Sequence, residues 1–212
     1  RGPRHRQLRR NRHRPRVLGA DLESQLHGQF QVAHTLAQTL AAIKMDEVGL
    51  NLDRNKVRDV LRIVLEGNPL ISAVYTCWEP YGFDGDDAKY RGVDSHDSTG
   101  RFALYLHRSG SGKAETLPLL TMPGRVQAGQ PGAWYTDPGK SYKEYLSDPF
   151  PKAEGGVTKQ MITLSVPILA KGTFFGVAGT DLDVAFTQKE VDTPVQKHGR
   201  IQACVISHNG IL

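Results

Sequence analysis

Between Ala20 and about Met45, apolar residues recur at Leu22, Leu26, Phe30, Ala33, Leu36, Leu40 and Ile43. Steps of three and four put them on one stripe, which predicts a long amphipathic helix. No Gly or Pro interrupts the run between Gln29 and Lys44. A second helix is predicted from about Asn55 to Glu66, with Val57, Val60, Leu61, Val64 and Leu65 on one face. Asp53 or Asn51 is placed to cap it, and Gly67-Asn68-Pro69 stops it. The period then becomes extended. The β-branched and aromatic run Leu70–Trp78 predicts a strand, as does Arg101–Arg108. Lys159–Leu169 and Thr173–Val184 predict an antiparallel hairpin across Ala170-Lys171-Gly172, and Ile201–Ser207 a last strand.

Two stretches break this pattern. Residues 79–100 form a polar excursion dense in Asp and Gly, in which Asp84, Gly85, Asp86 and Asp87 lack the spacing and closing Glu of an EF-hand and read as a solvated turn. Residues 120–156 read as an irregular segment rich in Pro and Gly that carries Trp134, Tyr135, Tyr142 and Tyr145. A connection of that length with several aromatic side chains is the usual form of a binding loop or lid. The order of elements, two helices followed by antiparallel strands, predicts an α+β domain.

Charge changes the picture less than the total suggests. The chain of 212 residues has a net charge of +5. Residues 1–16 hold eight Arg and no acid, and without them 19 basic residues face 22 acidic ones, a net −3. The basic character thus belongs to a tail, expected to be disordered, and the tail has no aromatic residue for base stacking, so no nucleic-acid partner is expected. Cys77 and Cys204 form no metal-type pattern and read as buried thiols, with a disulfide between them as the alternative. No cofactor and no metal are expected. There is no GxSxG, Walker loop or GxGxxG, and the histidines lack metal-ligand spacing, so an enzyme is not expected.

With these elements in order, the chain resembles the double Cache sensor domains of methyl-accepting chemotaxis receptors and related sensor kinases. The resemblance rests on Asn68–Pro80 as the first strand, on Phe83–Asp87 and Asp97–Phe102 as the following loop and strand entry, on Gly132-Ala-Trp-Tyr135, and on Gly176-Val-Ala-Gly-Thr-Asp-Leu182. It implies a PAS-like antiparallel sheet module led by a long helix that rises from a membrane. Residues 17–66 would be the helical part, 67–190 the membrane-distal ligand-binding module, and 191–212 only the start of a membrane-proximal one. It further implies a periplasmic position, a membrane-anchored homodimer and a role in chemotaxis or signal transduction.

The resemblance also implies a site. Amino-acid-binding members carry an Arg two residues before the Trp-Tyr pair, where this chain has Gly132. Where their pattern continues with Tyr and Asp, Asp148–Lys152 offers Phe150 and Lys152. What remains is Trp134, Tyr135 and Asp181, with Tyr105 and Asp148 as further candidates. Aromatic faces beside a carboxylate suit a cationic amine, and Gly132–Tyr135 resembles the Gly-x-Trp-Tyr element of the family branch associated with amines, which implies a polyamine or a quaternary ammonium compound as the ligand. The rival readings are an organic acid held by Lys152 or Arg101, an amino acid, and a ligand-free protein-interaction module.

Overall fold

The computed structural model describes residues 14–127, 130–154 and 157–185. The last expected strand, Cys204 and the expected second module at 191–212 lie outside the described residues.

Helix α1 (Arg14–Ala41) carries the apolar stripe and ends in a short 3-10 turn at Ala42–Lys44. It starts inside the stretch expected as a basic tail. Ala33, Leu36, Ala37 and Leu40 on its stripe are buried. Helix α2 (Arg54–Gly67) is capped by Asp53, whose carboxylate accepts the Lys56 backbone N–H at 2.8 Å. Its buried face is Arg54, Val57, Leu61 and Leu65.

The strands β1 (Ile71–Trp78), β2 (Ala103–Arg108), β3 (Ala114–Pro118), β6 (Tyr145–Leu146), β7 (Phe150–Glu154), β8 (Val157–Ala170) and β9 (Thr173–Asp183) form one antiparallel sheet. β4 (Val126–Gln127) and β5 (Gln130–Pro131) pair separately, and helix α3 (Ala133–Ser141) follows them. The sheet runs β3-β2-β1-β9-β8-β6, with β7 also pairing with β8. The β8–β9 hairpin turns through Lys171 and Gly172, both at positive φ (51° and 76°). Positive φ at both central residues is the turn whose twist matches two antiparallel strands.

β1 and β9 lie at the centre of the sheet and are covered on both faces. One face carries Val74, Trp78, Leu104, Leu164, Ala178 and Leu182 into a core shared with α1 and α2. The other carries Ala73, Tyr75, Cys77, Tyr105 and Val177 into a second core closed by Leu119, Trp134 and Tyr135. Alternate residues of the same strands therefore belong to different cores.

Two expectations change. The 120–156 stretch is not wholly irregular: it contains α3 and short strands, and β3 precedes it. The acidic excursion is not a solvated turn around Asp87, which is buried. Arg54 donates to Asp84 from Nε and Nη2 at 2.8 Å each, to Asp87 at 2.7 Å and to the Gly100 carbonyl at 2.7 Å. Gly100 has φ +71°, and a Cβ there would lie 1.9 Å from the Asp87 carbonyl oxygen, so only glycine lets the loop close on the arginine. Cys77 is buried, as expected, and burial pushes its thiol up to about 12.

Candidate functional site

The site forms on the second face of the sheet, where register sets side chains in rows. Asp181 on β9 lies opposite Ala73 on β1 and Thr163 on β8, and Gly179 lies opposite Tyr75 and Ser165. Tyr75 in turn is opposite Tyr105 on β2. Gly179 is required there: a Cβ would meet the Tyr75 ring at 2.3 Å and the Leu164 carbonyl oxygen at 2.4 Å. The missing side chain lets the Tyr75 ring cross β9, and its hydroxyl lies 2.5 Å from Ser165 Oγ and 3.0 Å from Thr163 Oγ1. Burial pushes that phenol up to about 12, so it stays protonated and bonded.

Asp181 is fully buried. Its Oδ1 accepts from Thr163 Oγ1 at 2.5 Å and its Oδ2 from the Tyr105 hydroxyl at 2.7 Å. Oδ2 also pairs with Nη2 of Arg125, which is 7 % exposed. An unpaired carboxylate at this depth would be costly, and three donors offset its desolvation. The arginine comes from the turn before β4. Its guanidinium carbon lies 4.9, 5.4 and 5.6 Å from the ring centroids of Tyr75, Tyr105 and Trp134. Burial alone would lower its pKa, but Asp181 and the two phenols raise it above the ordinary arginine value, so it is a fixed cation. Its carbonyl accepts from Trp134 Nε1 at 2.8 Å and from the Gly132 N–H at 3.0 Å, which ties the turn to the start of α3.

A cavity of about 640 Å³ opens beside this group, lined by Tyr105, Arg125, Trp134, Lys152, Thr163 and Asp181 among others. Lys152 Nζ donates to the Tyr105 hydroxyl at 2.6 Å. Phe150 and Tyr145 add apolar wall. The volume is that of a small-molecule site.

Of the five residues expected in the site, Tyr105, Trp134 and Asp181 line this cavity. Tyr135 does not. It follows Trp134 on a helix, so it points about 100° away. Its hydroxyl donates to Glu79, its ring meets Phe174 edge-on at 5.7 Å, and Arg101 lies 4.6 Å over its face. Asp148 is also outside the cavity. The neighbouring Ser147, whose N–H donates to the Thr163 carbonyl, faces in instead. Arg101, an alternative anchor, donates to the Trp78 carbonyl and lines a different cavity of about 500 Å³.

The sequence reading missed Arg125, Tyr75 and Thr163. Nothing local marks Arg125, whose partner Asp181 is 56 residues away. Tyr75 lies on a strand covered on both faces, where alternation cannot say which way a residue points. The one available signal was that Asp181, an acid in an apolar strand, needed a cation.

Residues 57–189, more than half of the chain, match the family model described as methyl-accepting chemotaxis protein-like, first PDC sensor domain. The methyl-accepting chemotaxis protein TlpQ of Pseudomonas aeruginosa is 28% identical over 136 residues, which cover 60% of this chain and 19% of that protein. The chain thus spans about a fifth of the length of this curated relative. Among solved structures, the extracellular domain of mmHK1S-Z2, described as a histidine kinase, superposes with a TM-score of 0.67 at 28% identity, over 86% of this chain and 60% of that one. The ligand-binding domain of the Pseudomonas aeruginosa PAO1 amino-acid chemoreceptor PctC in complex with GABA shares the fold, with a TM-score of 0.51 at 18% identity over 86% and 63%. These relatives are sensor modules that bind ligands and do not catalyse, and the chain belongs to the methyl-accepting chemotaxis protein-like family of first PDC sensor domains.

Proposed function

We propose that this domain senses a small organic solute carrying a cationic amino group, outside the cytoplasm, on behalf of a membrane-anchored homodimeric receptor. The observation that carries this reading is a fully buried carboxylate, Asp181, set beside Tyr105 and Trp134 at the wall of a cavity of about 640 Å³. A carboxylate with aromatic faces attracts a cation by both charge and ring quadrupole. PctC, solved with GABA, binds a solute with an amino group.

The route to a signal runs through the sheet. Asp181 faces the cavity, and the next residue, Leu182, is buried in the core shared with α1. Glu144, next to the cavity-lining Tyr145, pairs with His34 on α1 at 2.5 Å. A ligand that binds one arrangement of this wall better than another shifts the position of α1 by its differential affinity, and typical couplings of this kind are about 1–3 kcal/mol.

A second reading rests on a specific observation: Arg125 and Lys152 both line the cavity, so its cations outnumber Asp181. That balance suits the carboxylate of an organic acid or amino acid. Calorimetric titration of the 212-residue chain with putrescine, GABA and succinate separates the two. Putrescine binding is the expected result. Binding of succinate alone would replace the amine reading with the acid one, and no heat from a folded sample would point to the interaction module.

A further inference from the structure

Asp181, Tyr75, Tyr105 and Trp134 form a cage for a cation, and the cage is full. Its occupant is the guanidinium of Arg125, paired with the carboxylate and within 4.9–5.6 Å of the three ring centroids. The backbone of Arg125 is held by Trp134 Nε1 and the Gly132 N–H, so the side chain can leave the cage without the turn moving. Tyr105, Trp134 and Asp181 belong at once to the cage and to the cavity wall, so a solute in the cavity reaches the same carboxylate.

Charge decides how it gets there. Among the described residues lining the cavity, Asp181 is the one acid, and Arg125 and Lys152 are cations. A further cation approaching Asp181 meets the guanidinium that already neutralises it, and the buried setting strengthens that repulsion. Binding of an organic cation therefore requires exchange. We propose that Arg125 is a resident surrogate for the ligand, and that an amine binds by taking Asp181 and the rings from its guanidinium.

Exchange also narrows the ligand class. Arg125 gives the fully buried Asp181 an N–H donor at Oδ2. The replacement has to donate a hydrogen bond there, because a buried carboxylate that loses a donor is penalised. Primary amines and guanidines meet this condition. A quaternary ammonium ion, which has no N–H, does not, although it would satisfy the rings equally well.

This inference rests on the amine reading, and its test keeps the two apart. Putrescine, ethylguanidinium and tetramethylammonium are titrated into the wild-type chain, Arg125→Met and Arg125→Lys. The expected result is that Arg125→Met binds putrescine and ethylguanidinium at least tenfold more tightly than wild type, because the competitor is gone. Arg125→Lys, which keeps a tethered cation, stays within a few-fold of wild type, and tetramethylammonium is the weakest of the three on every protein. If Arg125→Met is too unstable to titrate, its melting temperature is followed instead. A rise with ethylguanidinium larger than that of wild type supports exchange, and an equal rise overturns it. Loss of putrescine binding in a folded Arg125→Met would make the arginine a ligand anchor and overturn the proposal while leaving the amine reading intact, as would unchanged affinity in both variants. Tightest binding by tetramethylammonium would overturn the N–H requirement. A wild type and an Arg125→Met that both bind succinate and neither cation would sink the amine reading itself.

Discussion

Arg54 and Arg125 are both buried, both paired with carboxylates and both packed on aromatic rings, Tyr90 and Phe102 in one case and Tyr75, Tyr105 and Trp134 in the other. Around Arg54 every direction is filled. Asp84, Asp87 and the Gly100 carbonyl take its donors, and the knot pins residues 79–100 to the start of α2. Around Arg125 one acid and one hydroxyl take donors, and the remaining side is the cavity. The same chemistry is thus structural where it is closed and available for recognition where it borders a void. A buried ion pair alone does not mark a ligand site; the space next to it does.

The comparison can be broken most forcefully at Arg54. Arg54→Met leaves the buried Asp87 and the more exposed Asp84 without their shared cation, each with a backbone donor remaining, from Tyr81 to Asp87 and from Asp86 to Asp84. Removing one partner of such a network costs about 3–5 kcal/mol, and denaturant unfolding should show a loss of that order with no change in ligand affinity beyond that due to unfolding. Arg125→Met strands a single carboxylate that keeps Tyr105 and Thr163 as donors, so its stability loss should be smaller, about 1–3 kcal/mol. If the two losses came out equal, the distinction between closed and open arginines would fail.

Gly179→Ala sharpens the comparison from the side of packing. The added methyl has to displace the Tyr75 ring, 2.3 Å away, and with it one wall of the cation cage. Overpacking of this kind costs about 1–3 kcal/mol, and amine binding should weaken in parallel; intact binding would show that Tyr75 is dispensable to the cage.

The smallest effect concerns pH and belongs to the closed region. His96 packs against Tyr90 and Phe102, and burial, reinforced by Arg54 and Arg58, lowers its pKa below the ordinary 6.5. The unfolded chain takes up a proton at this residue below pH 6.5 while the folded one resists it. The resulting stability is therefore present above pH 6.5 and erodes as pH falls from there towards the folded-state value. Melting temperatures of wild type and His96→Phe between pH 7.5 and 5.5 should show a steeper fall in wild type; parallel falls would remove His96 as the cause.

The same contrast explains what was legible in the sequence. α1, α2 and the β8–β9 hairpin could be read because each repeats one period for many residues and buries a continuous stripe. α3 could not: it is nine residues long and contains Gly139 and Pro138, both poor helix formers. β3 and β7 read as polar because they lie towards the sheet edges, where pairing with β2 and β8 supplies the order that their own residues do not. In the site, Asp181 and Trp134 stood out against their surroundings, an acid in an apolar strand and a large ring in a Gly-rich stretch. Tyr75 did not, since its role comes from register between strands far apart in the chain, and Arg125 did not, since it sits in a turn whose partner Asp181 is 56 residues away. Tyr135 and Asp148 came from the resemblance rather than from their own surroundings, and neither lines the cavity.

The central claim is that Asp181 holds the amino group of a ligand in this cavity. Asp181→Asn keeps the size but removes the charge and turns one of the two acceptor oxygens into a donor, so the most direct measurement is calorimetric titration of putrescine into wild type and Asp181→Asn, with near-UV circular dichroism to confirm that both are folded. Binding by wild type and its loss, at least a hundredfold, in the folded variant is the predicted result. Equal affinity in the two proteins would contradict the account.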